Sequence, residues 1–199
     1  MTQFKNRPRA KTLFTILTLT LGFATFAHAG NVNGDAFSVT LPNGFGDAQS
    51  QKQTLDSPSG PITQVTYISK SQDGSAVILG YSEFSGTITD PDATLKSGRD
   101  SLLKSLGATA KNERSAEVSG HPARTFLYSA TSPRLVFGRT DLVVVGPRMY
   151  QLIYLGFTQE AIQQADVQGM FSSFRVSDPT PAPSPAAAGD GAAGQASDD

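Results

Sequence analysis

The 199-residue sequence contains no cysteine, no tryptophan and only two histidines. Without cysteine there is no disulfide, no thiol nucleophile and no soft metal ligand, so the fold must be held by its own core. One histidine, His28, belongs to the N-terminal segment described next, which leaves His121 as the one imidazole of the remaining chain. These absences weigh against thiol and zinc enzymes, and we expect no cofactor and no metal.

Residues 1–29 have the three parts of an export signal: a basic start, an apolar middle and a small-residue cleavage site. The middle, residues 13–26, carries no charge. Ala27 and Ala29 are the small residues at −3 and −1, so cleavage between Ala29 and Gly30 is predicted. The alternative is an uncleaved anchor, but the uncharged stretch is shorter than the ~20 apolar residues of a spanning helix.

Removal of this segment changes the charge balance. Four of the 16 basic residues lie in it, so the rest of the chain has 12 basic and 17 acidic residues, a net charge of −5. A mildly acidic surface argues against nucleic acid or anionic lipid as a partner. Because the signal is predicted to be cleaved and no cysteine can accept a lipid anchor, we expect a periplasmic or secreted protein with no permanent membrane anchor.

Residues 30–177 have the patterning of one α+β domain. Period-2 alternation predicts an antiparallel sheet of about five to seven strands, with an Asp73-Gly74 hairpin turn joining the second and third. The predicted strands are residues 37–41, 62–69, 76–84, 124–129, 135–145 and 149–157.

Two main helices are predicted between these strands. In the first, Asp90 caps, Pro91 opens the helix and Gly107 closes it, with Leu95, Leu102, Leu103 and Leu106 on one face. The second is capped by Thr158 and closes near Gly169, with Ala161, Ile162 and Ala165 facing inward.

Residues 178–199 form a Pro/Ala/Gly-rich tail without a large apolar residue. Such a segment cannot bury enough surface to offset its ordering entropy, so it is predicted to be disordered. An inert tail and a peptide docking motif are both compatible with its composition.

Four short motifs in order resemble the PsbP-like superfamily. They are Phe-Ser-Val-Thr-Leu-Pro-Asn-Gly-Phe at 37–45, Val-Ser-Gly-His-Pro-Ala-Arg-Thr-Phe at 118–126, Arg-Met-Tyr-Gln-Leu at 148–152 and Met-Phe-Ser-Ser-Phe-Arg-Val at 170–176. The resemblance, to an exported bacterial member of this superfamily, implies an α/β/α sandwich with a twisted antiparallel sheet. The known roles of the superfamily are mostly non-enzymatic, such as binding a protein or supporting an assembly. The resemblance implies the fold far better than a role, because one fold hosts many functions.

Chemistry-bearing residues are sparse. His121 stands before a proline in Ser119-Gly120-His121-Pro122, which is typical of a tight turn, and no G-x-S-x-G nucleophile elbow accompanies it. Asp90, Asp92 and the 31–35 segment are the densest oxygen clusters, yet a helix N-terminus and a missing distal ligand argue against calcium. Gly44 and Gly46 form only part of a dinucleotide-binding fingerprint. Glu83 and Glu117, both on strand-like segments, are the only acids that suggest a hydrolase, and solvated strand faces explain them better.

Arg134, Arg139 and Arg148 lie on or beside the late strands. They form a candidate anion patch, although isolated arginines on an antiparallel sheet more often protect an edge. The function that we predict is an exported, non-catalytic binding or accessory module with a protein partner outside the cytoplasm. A carrier of a small ligand and a carboxylate-dependent hydrolase are the alternatives, and the oligomeric state stays open.

Overall fold

The computed structural model describes residues 30–57, 60–131 and 135–179. The predicted signal with Ala29, the tail from residue 180 and Arg134 lie outside this part of the chain. Ten strands and three helices are described: β1 Asn31–Gly34, β2 Phe37–Thr40, β3 Gln49–Leu55, β4 Ile62–Lys70, β5 Ala76–Glu83, α1 Pro91–Leu106, β6 Thr109–Val118, β7 His121–Ala130, β8 Val136–Val145, β9 Arg148–Gly156, α2 Gln159–Gln163, α3 Ala165–Ser173 and β10 Arg175–Val176.

Seven strands form one antiparallel sheet in the order β3-β4-β5-β9-β8-β7-β6. The sheet therefore has two hairpin arms, β3-β4-β5 and β6-β7-β8-β9, that meet where β5 pairs with β9. A second, three-stranded sheet has the order β1-β2-β10.

Helix α1 has the bounds that its caps predict. The Asp90 carboxylate accepts the Ala93 N–H at 3.0 Å, Pro91 occupies the first turn, and Gly107 closes the helix in the left-handed region at φ 59°. The helix packs across β7 and β8 with Leu95 and Leu103 buried at 2% and 9% exposure. Leu102, expected on the buried face, lies at its margin and is only partly buried.

The opposite face of the large sheet is covered by the small sheet together with α2 and α3. Phe37 of β2 inserts its ring edge-on among the aromatic residues of that face, 5.4 Å from the Tyr67 ring and 6.1 Å from the Tyr150 ring. The molecule is thus an α+β sandwich of three layers, with one apolar cluster on each side of the large sheet, and the predicted fold class is confirmed.

Three local predictions are corrected. The second helix is two helices, because Gln164 leaves the helical region at ψ 140°, and Ala165, expected to face inward, is exposed. His121 is the first residue of β7 and not a turn tip, since Ser119 and Gly120 make the turn with φ 53° and 80°. No strand was predicted at β1, β3 or β10, nor across most of β6. No helix in the described ranges has the length and apolar character to cross a membrane.

Candidate functional site

The face of the large sheet that carries α1 is covered unevenly. Helix α1 packs on β7 and β8, and no described helix packs to a similar extent on β3, β4 or β5. Strand register places Gln51, Thr66, Gly80 and Gln151 in one row. The row continues to Leu142, which packs in the cluster beneath α1, so it lies on this side of the sheet. We call the exposed part of this side, across β3, β4, β5 and β9, the open face.

Two parallel rows complete the open face. One runs through Gln49, Ile68, Ile78 and Ile153, and the other through Gln53, Gln64 and Ser82, with Leu55 opposite Ile62 at the margin. None of these rows contains a carboxylate or a basic side chain. The nearest charge in register is Lys70, where β4 ends. Depletion of charge is the compositional mark of the centre of protein interfaces.

Hydrogen bonds between amide side chains order part of this surface. Gln53 Nε2 donates to Gln64 Oε1 at 2.9 Å, and Gln64 Nε2 donates to Ser82 Oγ at 3.2 Å. Ile62, Ile68 and Ile78 are each partly exposed. Among the described large apolar side chains only Leu135 counts as exposed, at 48%. The open face is therefore a neutral mixture of amide and half-buried aliphatic groups and not a bare apolar patch.

Arg148 of the candidate anion patch is buried and already neutralised. Its side chain is 7% exposed and lies 2.8 Å from the Asp35 carboxylate and 2.9 Å from that of Glu83. The guanidinium also stacks over the Tyr81 ring, 4.4 Å from its centroid. Burial would lower the pKa of Arg148, but the neighbouring Tyr150 hydroxyl and Asp35 carboxylate raise it above the ordinary value. Arg148 is a permanent cation that joins the small sheet to the large one.

The Arg139 side chain is likewise occupied by contacts within this chain, at the other end of the sheet. It donates to Gln168 at 2.8 Å, lies 3.3 Å from the buried Asp141 carboxylate and covers the Phe171 ring at 3.9 Å. Because Arg139 pairs with Tyr154 and Arg148 with Val145, six residues separate them along β8, about 20 Å. The structure does not bring these arginines into one anion patch, and Arg134 lies outside the described residues.

A shallow cleft of about 300 Å³ opens where the β4–β5 turn meets residues 42–45 and the start of α3. Asp73 and Asp166 line it together with Tyr154. The Ser71 hydroxyl and the Ser75 N–H donate to Asp73 and lower the pKa of its carboxyl group. Asp166 accepts the Val167 N–H at 2.8 Å. Both carboxylates accept hydrogen bonds from N–H groups of this chain, and the cleft is large enough for a small polar molecule.

The remaining candidates lie apart. His121 and Glu117 are at the end of the β6–β7 hairpin, where Glu117 is exposed. Glu83 lies on β5 and forms an ion pair with Arg148. Asp90 caps α1, and Asp92 is paired with Arg124 at 2.5 Å. Across residues 30–57, 60–131 and 135–179, no three His, Cys, Asp or Glu side chains group as metal ligands.

The open face was missed by sequence reasoning because β3, Gln-Ser-Gln-Lys-Gln-Thr-Leu, is polar on both sides and shows no alternation. The signal that was present is the regular spacing of Gln49, Gln51 and Gln53. Residues two apart on a strand share a face, so these amides had to lie together if the segment was extended.

No protein-family profile matches the chain, and no curated protein sequence matches it significantly. Among solved structures, the chain is similar to the solution structure of cyanobacterial PsbP (CyanoP) from Synechocystis sp. PCC 6803. That likeness has a TM-score of 0.52 and 12% sequence identity, and it covers 79% of this chain and 98% of the other. The PsbP-like fold that the four sequence motifs indicated is confirmed, and at this identity the likeness extends to the fold alone.

Proposed function

We propose that this protein is an exported, non-catalytic binding module that holds a protein partner against the open face of its large sheet. The observation that carries the proposal is the absence of charge from three adjacent side-chain rows centred on Thr66, in a chain that is 17% charged overall. A neutral sheet surface that mixes amide and half-buried aliphatic groups fits a protein better than a small molecule.

The chemistry of the described side chains supports a role without catalysis. Asp73 is held ionised, Glu83 is tied to Arg148, and Asp141 accepts a hydrogen bond from Thr125 at 2.5 Å. A general acid or base needs a pKa near the working pH and a free path to substrate. The buried and partly buried acids of this fold serve structural contacts instead.

Export is the second part of the proposal and rests on residues 1–29. Mass spectrometry of the intact protein recovered outside the cytoplasm should give a chain that begins at Gly30. Recovery of the uncut chain in the membrane fraction would contradict cleavage after Ala29.

The binding role is tested by placing one charge at the centre of the open face. Thr66→Glu is expected to reduce the amount of partner that co-purifies with the tagged protein from its native host by about tenfold or more, because a carboxylate desolvated against a neutral surface is costly. Ser115→Glu is the matched control, since it makes the same type of change on an exposed position of β6. Equal recovery with both variants would refute the assignment of the open face.

The cleft beside Asp73 supports one alternative, a carrier of a small polar ligand, since its volume of about 300 Å³ is at the lower end for ligand sites. Asp73→Ala should then abolish retention of a co-purifying small molecule while leaving the binding of a protein partner unchanged. None of the described geometry favours the carboxylate-dependent hydrolase.

A further inference from the structure

The two edges of the large sheet differ in how they are protected. At β6, the ladder to β7 is interrupted between Lys111 and Arg114, and Asn112 has a φ of 50°. Glu113 in this bulge forms ion pairs with Arg99 of α1 at 2.9 Å and with Arg124 of β7 at 2.5 Å, so the edge is bound to the helix and to the neighbouring strand. Bulges and charges of this kind prevent the edge from pairing with another chain.

The β3 edge has none of these devices except one lysine. Its pairing with β4 is unbroken from Gln49 to Leu55, and it contains no proline and no bulge. Every residue from Gln49 to Thr54 is exposed, so both faces of the strand are free as well as its outer edge. Among the described strands β3 pairs with β4 only, and a regular strand of this kind is a template for the addition of another strand.

We infer that the β3 edge binds a second copy of this chain, in an antiparallel β3–β3 pair that is two-fold symmetric about Thr54. Charge complementarity selects both the occupant and the register. Lys52 and Asp56 are exposed, and neither has an ion-pair partner among the described residues. With Thr54 opposite Thr54 of the second copy, Lys52 of each copy lies directly opposite Asp56 of the other, which gives two cross-strand ion pairs.

Other registers of the β3–β3 pair do not place Lys52 opposite Asp56. With Lys52 at the axis, the two lysines would lie opposite each other, and like charges in that position are destabilising. The register about Thr54 also keeps the open faces of both copies on the same side, because residues directly opposite in an antiparallel pair point the same way. Gln53 then lies opposite Leu55 of the other copy, and the two open faces join into one surface. The pairing is isologous, so it closes at a dimer.

A pair of about five residues buries less surface than a permanent interface, so the dimer is expected to be in exchange with the monomer. The inference does not depend on the proposed partner, because purified protein is sufficient to test it. A dimer without partner binding, or partner binding without a dimer, would separate the two proposals.

The absence of cysteine makes disulfide trapping a clean test. Thr54→Cys places two thiols opposite each other at the axis, within the Cα separation that a disulfide spans. Ser50→Cys is the matched control on the same strand and face, and in this register its two copies are about 25 Å apart. Under mild oxidation the Thr54→Cys protein should form covalent dimers at least about tenfold faster than the Ser50→Cys protein.

The charges are tested in the Thr54→Cys background. Lys52→Asp and Asp56→Lys should each slow disulfide formation, and the variant with both substitutions should recover the original rate because the pair is restored with reversed polarity. Equal rates for the two cysteine variants, no dimer in either, or no recovery in the charge-reversed protein would overturn the inference.

Discussion

Glu83 of β5 and Arg148 of β9 are direct cross-strand partners, with Arg148 Nη2 2.9 Å from Glu83 Oε2. The same guanidinium reaches Asp35 in the turn between β1 and β2 at 2.8 Å. One buried cation therefore joins the small sheet to the large one at the point where β5 ends and β9 begins. This arrangement explains why an arginine that the sequence offered as an anion site is instead a structural element.

Arg148→Ala is expected to lower the free energy of unfolding by about 2–4 kcal/mol, because it removes a buried side chain that packs on Tyr81. The cost stays below that of breaking a fully buried pair, since Asp35 and Glu83 are 54% and 37% exposed and can be rehydrated. Urea denaturation measures it, with exposed Arg114→Ala as the control, expected within about 0.5 kcal/mol of the parent. Equal stability of the two variants would contradict the account of Arg148.

The different burial of the leucines of α1 predicts different losses of stability when they are replaced by alanine. Leu95→Ala should lower the free energy of unfolding by about 2–5 kcal/mol, since Leu95 is 2% exposed in the cluster beneath the helix. Leu102→Ala should cost clearly less, because that side chain is only partly buried. Thermal or chemical denaturation of both variants decides this, and a larger loss for Leu102→Ala would show that the helix is rotated from the orientation described.

Gly80 permits close approach of neighbouring backbone. A Cβ atom there would lie 2.1 Å from the Val65 carbonyl oxygen, and no rotamer change can relieve a contact with backbone. Gly80→Ala is therefore expected to destabilise the protein by about 1–3 kcal/mol or more. Gly86→Ala, where a Cβ would meet nothing within 4 Å, should change stability by less than about 0.5 kcal/mol. A tolerated Gly80→Ala would mean that β4 and β5 are less closely paired than described.

The Asp73 carboxylate makes the stability of the folded protein depend on pH. Hydrogen bonds from the Ser71 hydroxyl and the Ser75 N–H lower the pKa of its carboxyl group below the ordinary 3.8. A carboxylate with a lowered folded-state pKa contributes stability that is fully present above its unfolded pKa and is lost as the pH falls through the folded one. Asp73→Asn should thus be less stable than the parent above about pH 5, and the difference should shrink below about pH 4. Ser71→Ala should show a smaller change in the same direction. A difference that is constant with pH would exclude the ionised form as the cause.

The parts of the fold that depend on neighbouring residues in the sequence could be predicted from the sequence. Helix α1 was predicted to its first and last residue because Asp90, Pro91 and Gly107 act on backbone groups within one turn. The break at Gln164, where ψ is 140°, has no such marker, because neither proline nor glycine stands at or beside this position. The strands with an apolar face, such as β8 and β9, were found because burial leaves a pattern in sequence.

The open face was the part of the structure that the sequence could not predict. Edge strands β3 and β6 carry polar residues on both faces, so they lack the alternation by which strands are recognised. The open face exists only because Gln51, Thr66, Gly80 and Gln151, from four separate strands, are placed in one row by pairing. The neutralisation of Arg148 depends likewise on Asp35, 113 residues away in the chain.

Site-specific photo-crosslinking in the native host tests the binding role most directly. A photo-reactive residue in place of Thr66, at the centre of the open face, should give one discrete adduct with a partner protein. The same residue in place of Ser115, exposed on β6, should give none. An adduct at Thr66 that disappears when Gln151→Glu adds a charge to the same row would support the open face as the binding surface. No adduct at Thr66, or adducts of equal yield at both positions, would contradict it.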